Sequence, residues 1–245
     1  MKKRISSIFC LLALAIISIQ AKDYNVKDYG AIGDGKTLDH IAINATIDTC
    51  VAHGGGRVVL PAGTYLCGSI RLKSNVELHL MTGSKILAAP ASMKAYDEAE
   101  EFEGTAYQDG GHTYFKNSLI YAIGANDVSI TGRGMIDGEG LTRRDTEKAG
   151  NLQGGNIGTG DKAIAFKQCR NILIRDVTVY RGGHFGIIVT GCELGTIDNV
   201  IVDTNRDGID IDCCKYLTVS NCKINTPHDD GLVLKSSYAL KKPVI

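Results

Sequence analysis

From Lys162 onward, apolar and polar positions alternate in short runs that return at a nearly constant step. The runs Lys162–Phe166, Phe185–Val189, Asp207–Ile211 and Asp230–Leu234 begin 23, 22 and 23 residues apart. The columns Ile174/Ile197/Val219, Val177/Val200/Cys222 and Val179/Val202/Ile224 keep the same step. Self-similarity at such a period marks a repeat architecture. Within the runs, Ile209 and Ile211 alternate with Asp210 and Asp212, and Leu232 and Leu234 with Val233 and Lys235. Period-2 alternation predicts the first set inside and the second outside. A unit of this length holds two or three short strands with their turns. That is one coil of a right-handed, single-stranded parallel β-helix, each coil stacking on the next at about 4.8 Å. A propeller blade needs roughly twice the period, and the Leu-x-x-Leu-x-Leu signature of a leucine-rich repeat is absent.

Upstream the repeat loosens. Val76–Leu80 and Val128–Ile130 alternate in the same way. Two polar insertions, 91–117 and 138–161, interrupt the coils; the first carries Gly110-Gly111, the second Arg143-Arg144-Asp145 and Gly154-Gly155. Loops of this length without periodicity are expected to wall a cleft. Residues 38–52 read instead as a helix, with Thr37 as N-cap and apolar residues on two faces: Ile43, Ile47, Cys50 and Val51, and Leu38, Ile41, Ala45 and Ala52. Such a helix, buried from both sides, is expected to close the open end of the solenoid. Cys169, Cys192 and Cys214 fall in one column. They are expected to form an inward ladder of small apolar side chains, although a bridge between neighbouring coils also fits their spacing.

Composition adds the cellular setting. Lys plus Arg and Asp plus Glu number 27 each, so no bulk basic charge points to nucleic acid. Lys2, Lys3 and Arg4 precede an apolar run to Ile19, followed by Gln20-Ala21. This is the layout of a signal peptide over residues 1–21. It predicts a secreted or periplasmic protein with no membrane span after cleavage, and a β-helix domain over 22–245. A monomer is expected.

The repeat also aligns chemistry. Asp207 and Asp230 share one position in adjacent coils, Asp229 adjoins Asp230, and Arg206 adjoins Asp207. Like charges one coil apart push at least one carboxyl pKa upward, giving the protonated and ionised pair that glycoside hydrolysis uses. Two other readings share these residues: a Ca²⁺ site built from Asp207, Asp210, Asp229 and Asp230, and solvated turn residues. Asp212 and Lys235 are expected to form an outward ion pair. His184 and His228 precede glycine-containing turns and are candidates to reach a cleft.

The segments Asn205-Arg-Asp-Gly-Ile-Asp-Ile-Asp212 and His228-Asp-Asp-Gly-Leu-Val-Leu-Lys-Ser236 resemble the two aspartate motifs of glycoside hydrolase family 28, the polygalacturonases and related pectin hydrolases. Tyr29-Gly-Ala-Ile-Gly-Asp-Gly-Lys-Thr37 is similar to the opening motif of pectin-degrading β-helix proteins. The resemblance implies a pectin lyase-like solenoid, no cofactor and no metal. It also implies inverting hydrolysis of an acidic, galacturonan-type polysaccharide. By position, Asp229 would be the general acid, and Asp207 and Asp230 would hold and activate water. Arg206, His184, His228 and Lys235 are the candidate substrate-binding residues. Arg206 stands where the family often has Thr. The family's downstream Gly-His-Gly and Arg-x-Lys motifs have no match, since Arg181-Gly-Gly-His184 lies upstream and Lys241-Lys242 lacks the pattern. The chain therefore reads as the N-terminal part of a longer hydrolase. A Ca²⁺-dependent pectate lyase-like protein and a non-catalytic carbohydrate-binding β-helix are the alternatives.

Overall fold

A computed structural model of the chain describes residues 22–101, 110–142 and 160–237. The expected signal segment, the Arg143–Asp145 and Gly154-Gly155 portions of the second insertion, and Lys241-Lys242 lie outside the described residues.

The parallel β-helix expected from the repeat is the fold, with three strands per coil and three parallel sheets. The first sheet stacks Asp23–Asn25, Gly56–Leu60, Val76–Leu80, Asn126–Gly132, Arg170–Arg175, Glu193–Asp198 and Lys215–Ser220. The second stacks Asp34–Leu38, Gly63–Cys67, Ser84–Ala88, Met135–Asp137, Thr178–Tyr180, Ile201–Asp203 and Lys223–Asn225. The third stacks Ile70–Arg71, Ser118–Ile123, Lys162–Lys167, Phe185–Thr190, Asp207–Asp212 and Leu232–Lys235. Register follows the sequence columns: Ile187 opposes Ile209, and Ile209 opposes Leu232. Ile164, Ile187 and Ile209 are fully buried along one interior column.

Corners are turned by single left-handed residues at matching positions. Gln168, Gly191 and Cys213 lead from the third sheet to the first, and Asp176, Asn199 and Asn221 from the first to the second. Asn is among the few residues with a side chain that tolerates this conformation. Here its amide also ties coils together, Asn199 donating to Asp176 at 2.8 Å and Asn221 to Asp198 at 2.7 Å. Just inside the first of these corners lies the cysteine column. The Cys169 N–H donates to Cys192 Sγ at 3.4 Å, and the Cys192 N–H to Cys214 Sγ at 3.3 Å. All the described cysteines are free thiols, so the ladder is packing rather than a bridge.

The helix spans His40–Ala52 and packs against Asp23–Asn25, Gly56–Leu60 and Ile70–Arg71, among the first strands of the solenoid. Two details of its expected form change. Thr37 belongs to the strand Asp34–Leu38 and bonds Asp34, so the helix is preceded by Asp39 instead. Only one face is buried: Ile43, Ile47 and Cys50 are inaccessible, whereas Ile41 is 68% exposed. No described residue covers that outer side of the helix end-cap. Asp39 is itself buried and accepts from the N–H groups of Ile32 (2.7 Å) and Gly33 (3.0 Å). The opening motif is thus wound around one carboxylate.

The first insertion does not simply border the solenoid. Phe115 packs with Tyr121, Ala165, Phe185 and Ile188 in a second apolar cluster on the outward side of the third sheet. Glu100 accepts from the N–H groups of Phe115 and Lys116 and lies 3.3 Å from Lys167 Nζ. This cover corrects the inside–outside reading of Asp210 and Asp212: both point away from the interior, yet neither is exposed.

Removing the Asp39 carboxylate would leave two part-buried N–H groups without their acceptor and empty a buried side-chain position. Asp39→Ala is expected to cost about 2 kcal/mol or more, and Thr37→Ala, at an exposed bond, within about 0.5 kcal/mol. Urea unfolding of the two variants checks this; equal losses would reject the placement of Asp39.

Candidate active site

The corner from the second sheet to the third positions the carboxylates. Asp207 is the first residue of its strand, and Asp229 and Asp230 end the turn before the next. The Gly208 N–H donates to the Asp230 carbonyl at 2.9 Å, which locks the two rungs together. Glycine is required at 208 because a Cβ there would lie 2.4 Å from the Gly231 carbonyl oxygen and 2.7 Å from Ile224 Cγ2. The Asp-Gly pair is therefore a packing device that brings rungs close, beyond any role as a turn signal. Its outcome is that Asp207, Asp229 and Asp230 each present an oxygen within 4.8 Å of the others.

The three carboxylates differ in environment. Asp207 is buried while Asp229 and Asp230 are exposed. Burial, a hydrogen bond with Asp229 and the Asp229 charge push the Asp207 pKa up to about 6, against the opposing pull of Lys235 and Arg206. Arg206 Nε lies 3.1 Å from Asp229 Oδ2. Lys235 Nζ lies 3.7 Å from Asp207 Oδ2 and 3.1 Å from Asp210 Oδ2.

Lys235 is thus drawn into the site. It stands in register with Asp212 but leans back along the strand to Asp210 and Asp207, which corrects the simple outward pair expected with Asp212. Asp212 is held by the Ser237 N–H at 2.8 Å and by His112, whose Nδ1 is 3.5 Å from Asp212 Oδ2. Those bonds outweigh burial and lower its pKa to about 2. Asp210, more weakly compensated, is pushed by burial up to about 6.

The remaining candidates fall in two places. His228 sits at the exposed rim with its ring on the Asn205 side chain. His184 is buried, its ring edge-on to Phe185 at 4.5 Å, and its N–H donates to the Asp161 carbonyl. The structure brings Arg206 and Lys235 into direct contact with the carboxylates and places His184 behind them. It adds His112, which sequence reasoning missed because it lies in the non-periodic insertion. Asp212 was named only as an ion-pair partner; its place in a common register column with Thr190 and Lys235 is the signal that could have found its role.

Two measurements test this geometry. Gly208→Ala is expected to cost about 1–3 kcal/mol by overpacking, while Gly231→Ala, whose added Cβ would meet nothing closer than 3.5 Å, costs less than about 1 kcal/mol; the reverse order in chemical denaturation would refute the rung contact. The second is pH dependence. Asp207 and Asp210 keep protons when folded up to about pH 6, so each adds stability that is complete below about pH 4 and lost as pH rises through 6. Asp212 works the other way, its contribution present above about pH 4 and lost as pH falls through 2. Asp210→Asn is expected to be more stable than wild type at pH 7, by up to about 2–3 kcal/mol, with the advantage shrinking towards pH 4. A difference independent of pH would rule out the buried-carboxyl account.

Comparison with known proteins shows what the chain is similar to. An exo-poly-alpha-D-galacturonosidase of Dickeya chrysanthemi is 28% identical over 254 residues, covering 85% of this chain and 41% of that protein. The structure of an exopolygalacturonase from Thermotoga maritima superposes with a TM-score of 0.73 at 28% identity, over 89% of this chain and 55% of that one. A family 28 exopolygalacturonase from Yersinia enterocolitica gives 0.68 at 25%, over 84% and 43%. The resemblance to glycoside hydrolase family 28 therefore holds, and the chain spans about half the length of the curated relatives it matches. The family model for rhamnogalacturonase A/epimerase, pectate lyase-like proteins matches residues 24–233, and the chain belongs to that family.

Proposed function

We propose that this chain carries the acid/base centre of a glycoside hydrolase that cleaves galacturonic-acid-containing polysaccharide. The convergence of Asp207, Asp229 and Asp230 within 4.8 Å carries this reading. Burial and the neighbouring Asp229 carboxylate push the Asp207 pKa up to about 6, so the cluster retains a proton towards neutral pH. Asp229 is the exposed member, and delivers that proton to the glycosidic oxygen. Asp207 and Asp230, left ionised, hold and activate the attacking water. Arg206, His228 and Lys235 border the cluster with cationic or hydrogen-bonding groups suited to a uronate carboxylate; His184 supports the floor through Phe185. Inversion is carried by the family resemblance rather than by separation, since inverting pairs usually stand about 6.5–9.5 Å apart. The export segment at residues 1–21 would deliver the protein to an extracellular or periplasmic polymer, where it would act as a monomer.

Ca²⁺-assisted elimination draws on the same cluster but is less well supported. Arg206 and Lys235 already bring two positive charges to within 3.1 Å of Asp229 and 3.7 Å of Asp207, which opposes entry of a divalent cation. A reducing-sugar assay on polygalacturonate and rhamnogalacturonan separates the readings. Wild type is expected to release reducing ends, and Asp229→Asn to lose about 10²–10⁴-fold in rate. Equal release by both would remove Asp229 from the acid role. Products absorbing near 235 nm and abolished by chelator would establish the lyase, and polymer binding without cleavage the non-catalytic module.

A further inference from the structure

The first insertion carries His112 to the carboxylates. His112 is buried on the outward side of the third sheet, its ring edge-on to Phe185 at 5.0 Å. Its Nδ1 faces Asp212 Oδ2 at 3.5 Å, and its Nε2 lies 3.5 Å from Asp210 Oδ2 and 3.3 Å from Lys235 Nζ. An ammonium has only protons to offer, so the contact with Lys235 assigns Nε2 as acceptor. The ring proton then sits on Nδ1, which faces Asp212 Oδ2 at 3.5 Å. Asp212 is in turn fixed by Ser237. The chain of contacts runs Ser237, Asp212, His112, Lys235, Asp207.

Lys235 needs such a guide. Its side chain is partly exposed, and pinning a lysine costs up to about 2 kcal/mol of rotamer freedom. Register sets it beside Asp212 rather than Asp207, so nothing in the strand pairing alone brings its ammonium to the carboxylate cluster.

We propose that His112 is a positioning residue: braced by Asp212, its ring receives the Lys235 ammonium and holds it against Asp207 and Asp210. The inference rests on the proposed hydrolase reading for its catalytic consequence. With Lys235 in place, its charge opposes the burial and the Asp229 interaction that raise the Asp207 pKa, so Asp207 ionises at lower pH and serves as base over a wider range. Among the described residues, the groups facing Asp207 are Lys235 and Asp210 on the third sheet and Arg206, Asp229 and Asp230 on the turns. Those facing His112 among the described residues are Asp210, Asp212 and Lys235.

The test compares His112→Ala, His112→Gln, Lys235→Met and the double variant His112→Ala/Lys235→Met. Two readouts are used: the pH profile of kcat/KM on polygalacturonate, and the titration of the Asp207 carboxyl by carbon NMR. His112→Ala is expected to move the acidic limb and the Asp207 midpoint upward by about half a unit or more. Glutamine, which retains an acceptor for the ammonium, should restore part of the shift. The double variant should match Lys235→Met alone, because His112 acts through Lys235. Unshifted titration in His112→Ala, or additive shifts in the double variant, would overturn the proposal. If wild type cleaves no galacturonan at any pH, the hydrolase reading fails, and the carboxyl titration still decides the positioning role. Should His112→Ala not fold, His112→Gln takes its place in the single and double comparison, with a smaller expected shift and the same criterion of non-additivity.

Discussion

Parallel, in-register pairing between successive coils is the constraint on which the rest of the molecule depends. Each rung lies one strand spacing from the next, about 4.8 Å, so a residue type chosen at one position is imposed on its neighbours through contact. Ile164, Ile187 and Ile209 fill the interior this way. Asp176, Asn199 and Asn221 turn a corner this way. The same rule applied to Phe185, Asp207 and the Asp230 rung places acidic groups at one mouth. Glycine at 186 and 208 is what lets the rungs close to bonding distance. The acidic cluster is thus held by the backbone ladder itself, with no dedicated loop to position it.

A solenoid wall normally has one dry face and one wet one. Here the outward face of the third sheet is dry as well, because Phe115 and the residues around it cover Tyr121, Ala165, Phe185 and Ile188. That cover changes what the outward carboxylates are. Asp210 and Asp212 occupy alternate positions of the same strand and are equally inaccessible, yet their acidities move in opposite directions. Desolvation acts on both, and the His112 ring lies 3.5 Å from each; among the described residues it is Asp212 that also has a backbone N–H and a hydroxyl, both of Ser237, bonded to it. Burial alone therefore does not set the charge pattern of the site. The donors supplied by 112 and 237, far apart in the sequence, do.

How much of this was legible in the residues follows from the same distinction. Periodic features were readable: the coil length, the interior columns, the cysteine ladder and the meeting of Asp207 with Asp229 and Asp230 all follow from spacing. The helix was readable in kind but misplaced at its start, since Thr37 and Asp39 are both good capping residues and only the fold shows that Asp39 is engaged by Ile32 and Gly33. What spacing does not encode is which outward face becomes covered. Nothing in the run around Gly110-Gly111 announces that the next residue will lie between two aspartates more than ninety positions away. Lys235 failed for a related reason: register gives the position of its Cα, and a flexible four-carbon stem leaves the destination of its charge to its neighbours.

Arg206 shows how one substitution within the motif reshapes the centre. Where threonine would offer a hydroxyl, the guanidinium lies against Asp229 and Lys235 against Asp207, so each of these two carboxylates has its own cation. Both cations oppose the burial that raises the Asp207 pKa. Under the proposed hydrolase reading Arg206 gains a further role: the carboxylate of a uronate substrate would compete with Asp229 for its guanidinium, which a neutral polysaccharide would leave where it is.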